Sequence, residues 1–176
     1  VVDGGNLPDD PGQIGDALER AAEAADCIVT AGGVSVGEED HVRGQIEERG
    51  ALDVWKLAIK PGKPLAFGQV CGTPIFGLPG NPVSAFVTFA LVAKPWLIRR
   101  QGGVAVPSPR FPVKAGFTLS RPGTREEFLR VRLSGTGEAM RAHLTGSQSS
   151  AVMTSLSEAD GVAVIAPGTT VAEGDW

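Results

Sequence analysis

Cys27-Ile28-Val29-Thr30-Ala31-Gly32-Gly33-Val34-Ser35-Val36-Gly37-Glu38-Glu39-Asp40 decides how this chain is read. Its first five residues form a short apolar run of the kind found in buried parallel strands. The glycines end that strand. A helix is then expected from about Glu39 to Arg49, stopped by Gly50. A strand that passes through glycines into a helix offers bare backbone N–H groups and the positive end of a helix dipole, which suits an anion. Two more loops repeat the theme, Lys60-Pro61-Gly62-Lys63-Pro64 and Gly77-Leu78-Pro79-Gly80-Asn81-Pro82. The last also runs into a helix, and the middle one adds lysines.

Working outward, Asp10-Pro11 reads as a helix N-cap followed by proline at the first helical position. Ile14, Leu18, Ala21, Ala22 and Ala25 recur at helical spacing. Leu52–Ile59, Leu65–Val70 and Pro74–Leu78 read as strands, the last two joined by Cys71-Gly72-Thr73. A long helix from Asn81-Pro82 toward Arg100 should bend at Pro95. This alternation predicts an α/β fold, an open and mostly parallel sheet with flanking helices, whose ligands bind beyond the C-terminal strand ends. Composition changes at Gln101-Gly102-Gly103. Beyond it no helix is expected. Strands are expected at Phe111–Ala115, Phe128–Leu133, Met140–Leu144 and Gly161–Ile165, separated by Gly and Pro turns. The expected domains are therefore 1–101, α/β, and 102–176, a small all-β, barrel-like unit.

The 176 residues carry a net charge of −4, which gives a nucleic-acid role no electrostatic support. No unbroken run of 18 apolar residues occurs, so no membrane span is expected. Val1-Val2-Asp3-Gly4-Gly5 is not a signal peptide. Cys27 and Cys71 make no metal framework and read as buried reduced thiols of a cytoplasmic protein.

Asp40 follows a glycine-rich loop near a helix start. It reads either as a helix-dipole acid or as a carboxylate that binds a metal or polar group beside an anion pocket. Lys56 and Lys60 are read as one strand face, about 13 Å apart at ~3.3 Å per residue, with Trp55, Leu57 and Ile59 opposite. Lys63 follows in the turn. Fixed lysines at a strand end suit an oxyanion; scattered solvated lysines are the bland alternative. Pro79-Gly80-Asn81-Pro82 restricts the backbone and opens a helix, with Ser84 in its first turn. His41 and His143 read as structural or surface residues. Arg125, Arg130 and Arg132, near Gly146-Ser147-Gln148-Ser149-Ser150, read as a charged barrel exterior; the alternative, a second anion-contacting surface, does not follow from spacing alone. No constellation for a covalent nucleophile is present, so the chemistry reads as ligand positioning and charge stabilisation.

Taken together, Gly32-Gly33-Val34-Ser35-Val36-Gly37…Asp40, Trp55-Lys56…Lys60-Pro61-Gly62-Lys63-Pro64 with Phe67-Gly68, and Gly77-Leu78-Pro79-Gly80-Asn81-Pro82-Val83-Ser84 closely resemble the molybdopterin molybdotransferases. These are the MoeA-type proteins and their eukaryotic relative, the gephyrin E domain. The resemblance spans almost the whole chain and is most specific over residues 32–84. It implies insertion of molybdate into adenylated molybdopterin, with AMP released and Mg2+ or another divalent cation required. It implies that Asp40 serves catalysis and binds the metal, and that Lys56 and Lys60 belong to the active site. It implies substrate contacts by Gly32, Gly33, Ser35, Gly37, Lys63, Pro79, Gly80, Asn81, Pro82 and Ser84, with Ser150 the best match to a functional serine of the β domain. It further implies a homodimer, with the molybdopterin adenylyltransferase as a second partner.

The adenylyltransferases share the α/β domain, but their loop resembles Gly-Gly-Thr-Gly, unlike Gly32–Gly37 here. The family's N-terminal domains, first strand and Thr-Gly-Asp-Glu-type loop have no counterpart before Val1. A fragment inactive by itself is therefore expected. The alternatives are a pterin- or nucleotide-binding module without turnover, an adenylyltransferase-like domain, and a scaffold.

Overall fold

The computed structural model describes residues 1–33 and 41–176. They form two compact units. One comprises Val1–Leu57 and Gly62–Asn81, the other Ala58–Pro61 and Pro82–Trp176.

In the first unit, helix α1 spans Pro11–Ala24, and the Asp10 side chain accepts the Gln13 N–H at 2.8 Å, as its sequence position predicts. Strand β1, Ile28–Ala31, is followed by α2, His41–Arg49, and β2, Gly50–Lys56. Further on come β4, Pro64–Val70, and β5, Thr73–Leu78. The sheet order is β1-β5-β4-β2. Only β1 and β5 run parallel; β4 is antiparallel to both β5 and β2. The sheet is therefore mixed rather than mostly parallel. The cause is local: Cys71-Gly72 is too short for a crossover and closes a hairpin. Both turn residues have positive φ, 49° and 82°, the geometry that matches strand twist in two-residue hairpins. Ile14 and Leu18 of α1 and Ile46 of α2 cover one sheet face, packing on Ile28, Ala66, Val70 and Ile75. On the other face Phe76, Phe67 and Trp55 form a chain of rings with centroids 4.7 and 6.2 Å apart.

In the second unit, strand β3 is only Ile59–Lys60. The expected strand Leu52–Ile59 thus splits. β2 ends at Lys56, and the next two strand residues join another sheet. Helix α3, Pro82–Thr88, a π turn at Phe89–Ala93 and α4, Lys94–Arg100, make one helical run. In the π turn the Lys94 N–H reaches the Phe89 carbonyl, five residues back. This wider turn directly precedes Pro95, which has no N–H to give. By length and composition this helix could cross a membrane, with mean hydropathy 1.2 over the best window. It meets that looser test although no unbroken apolar run exists. Its Val83 and Val87 pack on Phe128, with Ile59, Leu156 and Val164 around them.

The remaining strands are β6, Lys114–Ala115, β7, Glu126–Ser134, β8, Arg141–Leu144, and β9, Gly161–Ile165. β7 is the central strand. It takes β3 in parallel and β8 and β9 antiparallel. This unit is not purely β: α5, Thr154–Ser157, and a 3₁₀ turn, Gly137–Ala139, interrupt it. Both are single turns, too short for periodicity to register. No strand or helix occupies 103–113. Packing groups Pro82–Arg100 with the second unit, because α3 buries its apolar side against β7.

Candidate functional site

The strand directions place three loops at one end of the first sheet. Ala31, at the end of β1, lies beside Leu78, at the end of β5. Gly77 lies beside Ala66, near the start of β4, and Pro64 lies beside Lys56, the last residue of β2. The segments after β1 and β5 and before β4 therefore meet at that end.

Gly32 and Gly33 both take positive φ, 87° and 70°, which glycine adopts without a Cβ clash. The Gly32 N–H donates to the Leu78 carbonyl at 3.0 Å, and the Arg43 N–H donates to the Gly33 carbonyl at 3.1 Å. These bonds tie the β1 loop to the end of β5 and to α2. A Cβ built on Gly32 would lie 3.8 Å from the Gly80 Cα, and one built on Gly80 3.6 Å from the Gly32 Cα. Two glycine loops separated by more than forty residues in sequence therefore face each other across little more than the width of a methyl group. Pro79 is buried, whereas Gly80 and Asn81 are exposed.

The Leu57 N–H donates to the Lys63 carbonyl at 2.7 Å, just beyond the Lys56–Pro64 pair. The chain thus brings Lys56 and Lys63 together at the backbone, and both side chains are exposed. Among the described residues neither ammonium has a carboxylate partner within 4 Å.

Lys56 and Lys60 do not share a strand face, since they belong to different sheets. The apolar opposite face also fails at Trp55, which is 47% exposed. Lys60 holds a carboxylate instead: its Nζ lies 3.2 and 3.3 Å from the two oxygens of Glu127. Ser84 is buried within α3, so its hydroxyl does not line an open loop. The carbonyl of Ser150 accepts the Val83 N–H at 3.0 Å, occupying one first-turn amide of α3. Ser35, Gly37 and Asp40 lie outside the described residues. Among the described residues no three His, Cys, Asp or Glu side chains stand together in a metal-binding group. The described residues thus supply no ligand set for a divalent cation.

Two other expectations change. Cys71 is exposed in the hairpin turn and Cys27 is half-buried, so neither is a core thiol, although neither is in a disulfide among the described residues. Arg130 is not a barrel-exterior charge. It is 1% exposed. Its Nε donates to the Ser155 hydroxyl at 3.2 Å, and its Nη2 donates to the carbonyls of Ser147 and Ser149, each at 3.1 Å. Burial lowers its pKa from the ordinary guanidinium value, but the group stays charged. Gln148 completes the loop, accepting the Arg130 N–H at 2.9 Å and donating to the Arg130 carbonyl at 3.0 Å. Arg130 therefore shapes the segment that holds Ser150. Its position among Phe128, Leu129 and Val131 was the available signal, since strict alternation fails there. Arg132, two residues on, is exposed, and its Nε donates to the Glu158 carbonyl at 3.2 Å. His143 lies 3.0 Å from the Ser134 hydroxyl, in keeping with a structural role.

The described residues thus form a mixed α/β unit with glycine loops gathered at one sheet end, followed by a small, mostly β unit. The family model for a probable molybdopterin binding domain matches residues 1–99, and that for the MoeA C-terminal region (domain IV) matches residues 112–176. The chain belongs to the MoeA-type molybdopterin molybdenumtransferase family. It is 42% identical to molybdopterin molybdenumtransferase of Haemophilus influenzae over 74% of this chain and 32% of that protein. It is 35% identical to molybdopterin molybdenumtransferase 1 of Mycobacterium tuberculosis over 93% of this chain and 40% of that protein. The crystal structure of the molybdopterin biosynthesis MoeA protein from Pyrococcus horikosii superimposes with a TM-score of 0.73 at 32% identity, covering 94% of this chain and 39% of that one. The chain thus spans 32–40% of the length of these relatives.

Proposed function

We propose that the protein carrying this chain acts in molybdenum cofactor biosynthesis, inserting molybdate into adenylated molybdopterin and releasing AMP. The observation that carries the reading is the close approach of Gly32 and Gly80, with room for little more than a methyl group between them, at the sheet end where Lys56 and Lys63 meet. Glycines there leave room for a bulky anionic substrate to approach the backbone. Two ammonium groups without carboxylate partners among the described residues suit an incoming phosphate or oxyanion. Positioned charge of this kind accelerates transfer by stabilising the developing negative charge. Asp40 is assigned to a divalent cation by the family resemblance alone. A homodimer, supply of substrate by the molybdopterin adenylyltransferase and a cytoplasmic setting complete the proposal.

The test is binding and turnover with adenylated molybdopterin. The purified chain should bind it, and Lys56→Met with Lys63→Met should weaken that binding at least tenfold. AMP release is followed with and without molybdate. Binding with no molybdate-driven AMP release under any added divalent metal would favour a binding module. No binding at all would overturn the reading.

A further inference from the structure

We infer that Glu127 is a positioning residue that occupies the oxyanion-binding end of Lys60 until an anion displaces it. The inference rests on the proposed function and on the active-site place that the family resemblance implies for Lys60, and extends it to a residue 67 positions away.

The geometry is asymmetric. Lys60 and Glu127 are register partners in the parallel pair β3–β7, so their side chains leave the sheet on the same side. Glu127 is the fixed member: its side chain is 14% exposed, against 56% for Lys60. Its backbone is held on both edges of β7, by Lys60 on one side and Ile165 on the other. Gly123 lies against its carboxylate, and a Cβ there would collide with Oε1. The Gly123 carbonyl is itself pinned by the Gly168 N–H at 2.8 Å. Next to this pair, the Arg125 guanidinium donates to the Ile59 carbonyl at 2.9 Å, and the Glu126 N–H donates to the Ala58 carbonyl at 3.0 Å. The short strand that carries Lys60 is therefore clamped onto β7, and the lysine end is the movable part.

A carboxylate is an oxyanion. Both oxygens of Glu127 already sit at hydrogen-bonding distance from Nζ. An incoming tetrahedral dianion must take Lys60 from Glu127 and then lie near that carboxylate. With its lysine 56% exposed the pair is worth little, on the order of 1 kcal/mol or less. Displacement is thus easy, and the pair works as a placeholder rather than a lock.

Molybdate binding to the purified chain is measured by calorimetry for wild type, Glu127→Gln, Lys60→Met and the double variant, with thermal unfolding of each. The expected result is tighter molybdate binding by Glu127→Gln, by roughly two- to fivefold for a pair of this strength. The gain should vanish in the double variant, which should bind like Lys60→Met. Equal or weaker binding by Glu127→Gln, while Lys60→Met still lowers affinity, would overturn the placeholder. Unchanged binding by Lys60→Met would instead overturn the reading of Lys60 itself. A gain that survives in the double variant would also overturn the proposal, since Glu127 would then act on some other cation.

Discussion

Arg130 shows how much one side chain can organise. A buried guanidinium is expensive unless its donors are used. Here the donors go to Ser147, Ser149 and Ser155, and no carboxylate lies within ion-pair distance of it among the described residues. The segment 145–150 is therefore held by backbone carbonyls turned toward a charge. Replacing Arg130 with Met keeps much of the volume and removes those donors. Each buried acceptor left without a partner costs about 1–3 kcal/mol, partly offset because the charge no longer needs burying. We expect Arg130→Met to lose about 2–4 kcal/mol in denaturant unfolding. Arg130→Lys should recover only part of that, since one ammonium cannot span three acceptors. A loss below about 0.5 kcal/mol for Arg130→Met would mean that water replaces the guanidinium at no cost.

At the scale of the element, the β4–β5 hairpin is the clearest case of chemistry setting topology. Its two-residue turn demands positive φ at both positions, yet the first holds Cys71 at 49°. A non-glycine residue in that region is strained, and asparagine tolerates it best. Cys71→Asn should therefore stabilise the chain by up to about 1 kcal/mol, read as a higher midpoint in urea with an unchanged slope. Cys71 is exposed and free, so little packing is lost with it. A lower midpoint would show that the thiol contributes something the turn geometry does not reveal. The helical run 82–100 teaches a related point. Pro95 was expected to bend it, and the structure meets the proline with a π turn immediately before it.

At the scale of the whole molecule, the family models end at residue 99 and resume at 112, while packing assigns Pro82–Arg100 to the second unit. The segment between carries no strand or helix from 103 to 113, and Val104, Val106 and Phe111 are exposed. Arg110 is the sole tryptic site in that stretch. Limited trypsin should cut there first, because exposed segments without secondary structure are cut most readily. The products, 1–110 and 111–176, should still elute together, since Val83 and Val87 pack on Phe128 across the cut. Separate elution would show that the division follows the family models rather than the packing.

The sequence by itself determined the local and the chemical parts. Asp10 and Pro11 announced α1, and glycines marked where β1 and β5 end. The series Gly32–Asp40, Lys56–Pro64 and Gly77–Ser84 carried the family. Those signals are legible because each depends on a residue and its near neighbours. Tertiary structure alone decided the rest. Strand direction in the first sheet followed from a hairpin closed in two residues. Lys56 and Lys60 looked like neighbours by a period of two, yet the chain changes sheets between them. That change depends on β7, sixty-odd residues later, offering Glu126 and Glu127 as partners to Ile59 and Lys60. Arg130 read as a surface charge because its acceptors, the carbonyls of Ser147 and Ser149, are backbone atoms. A backbone atom carries no residue identity, so a sequence cannot display where it points. Long-range pairing and backbone acceptors are the two things that only folding assigns.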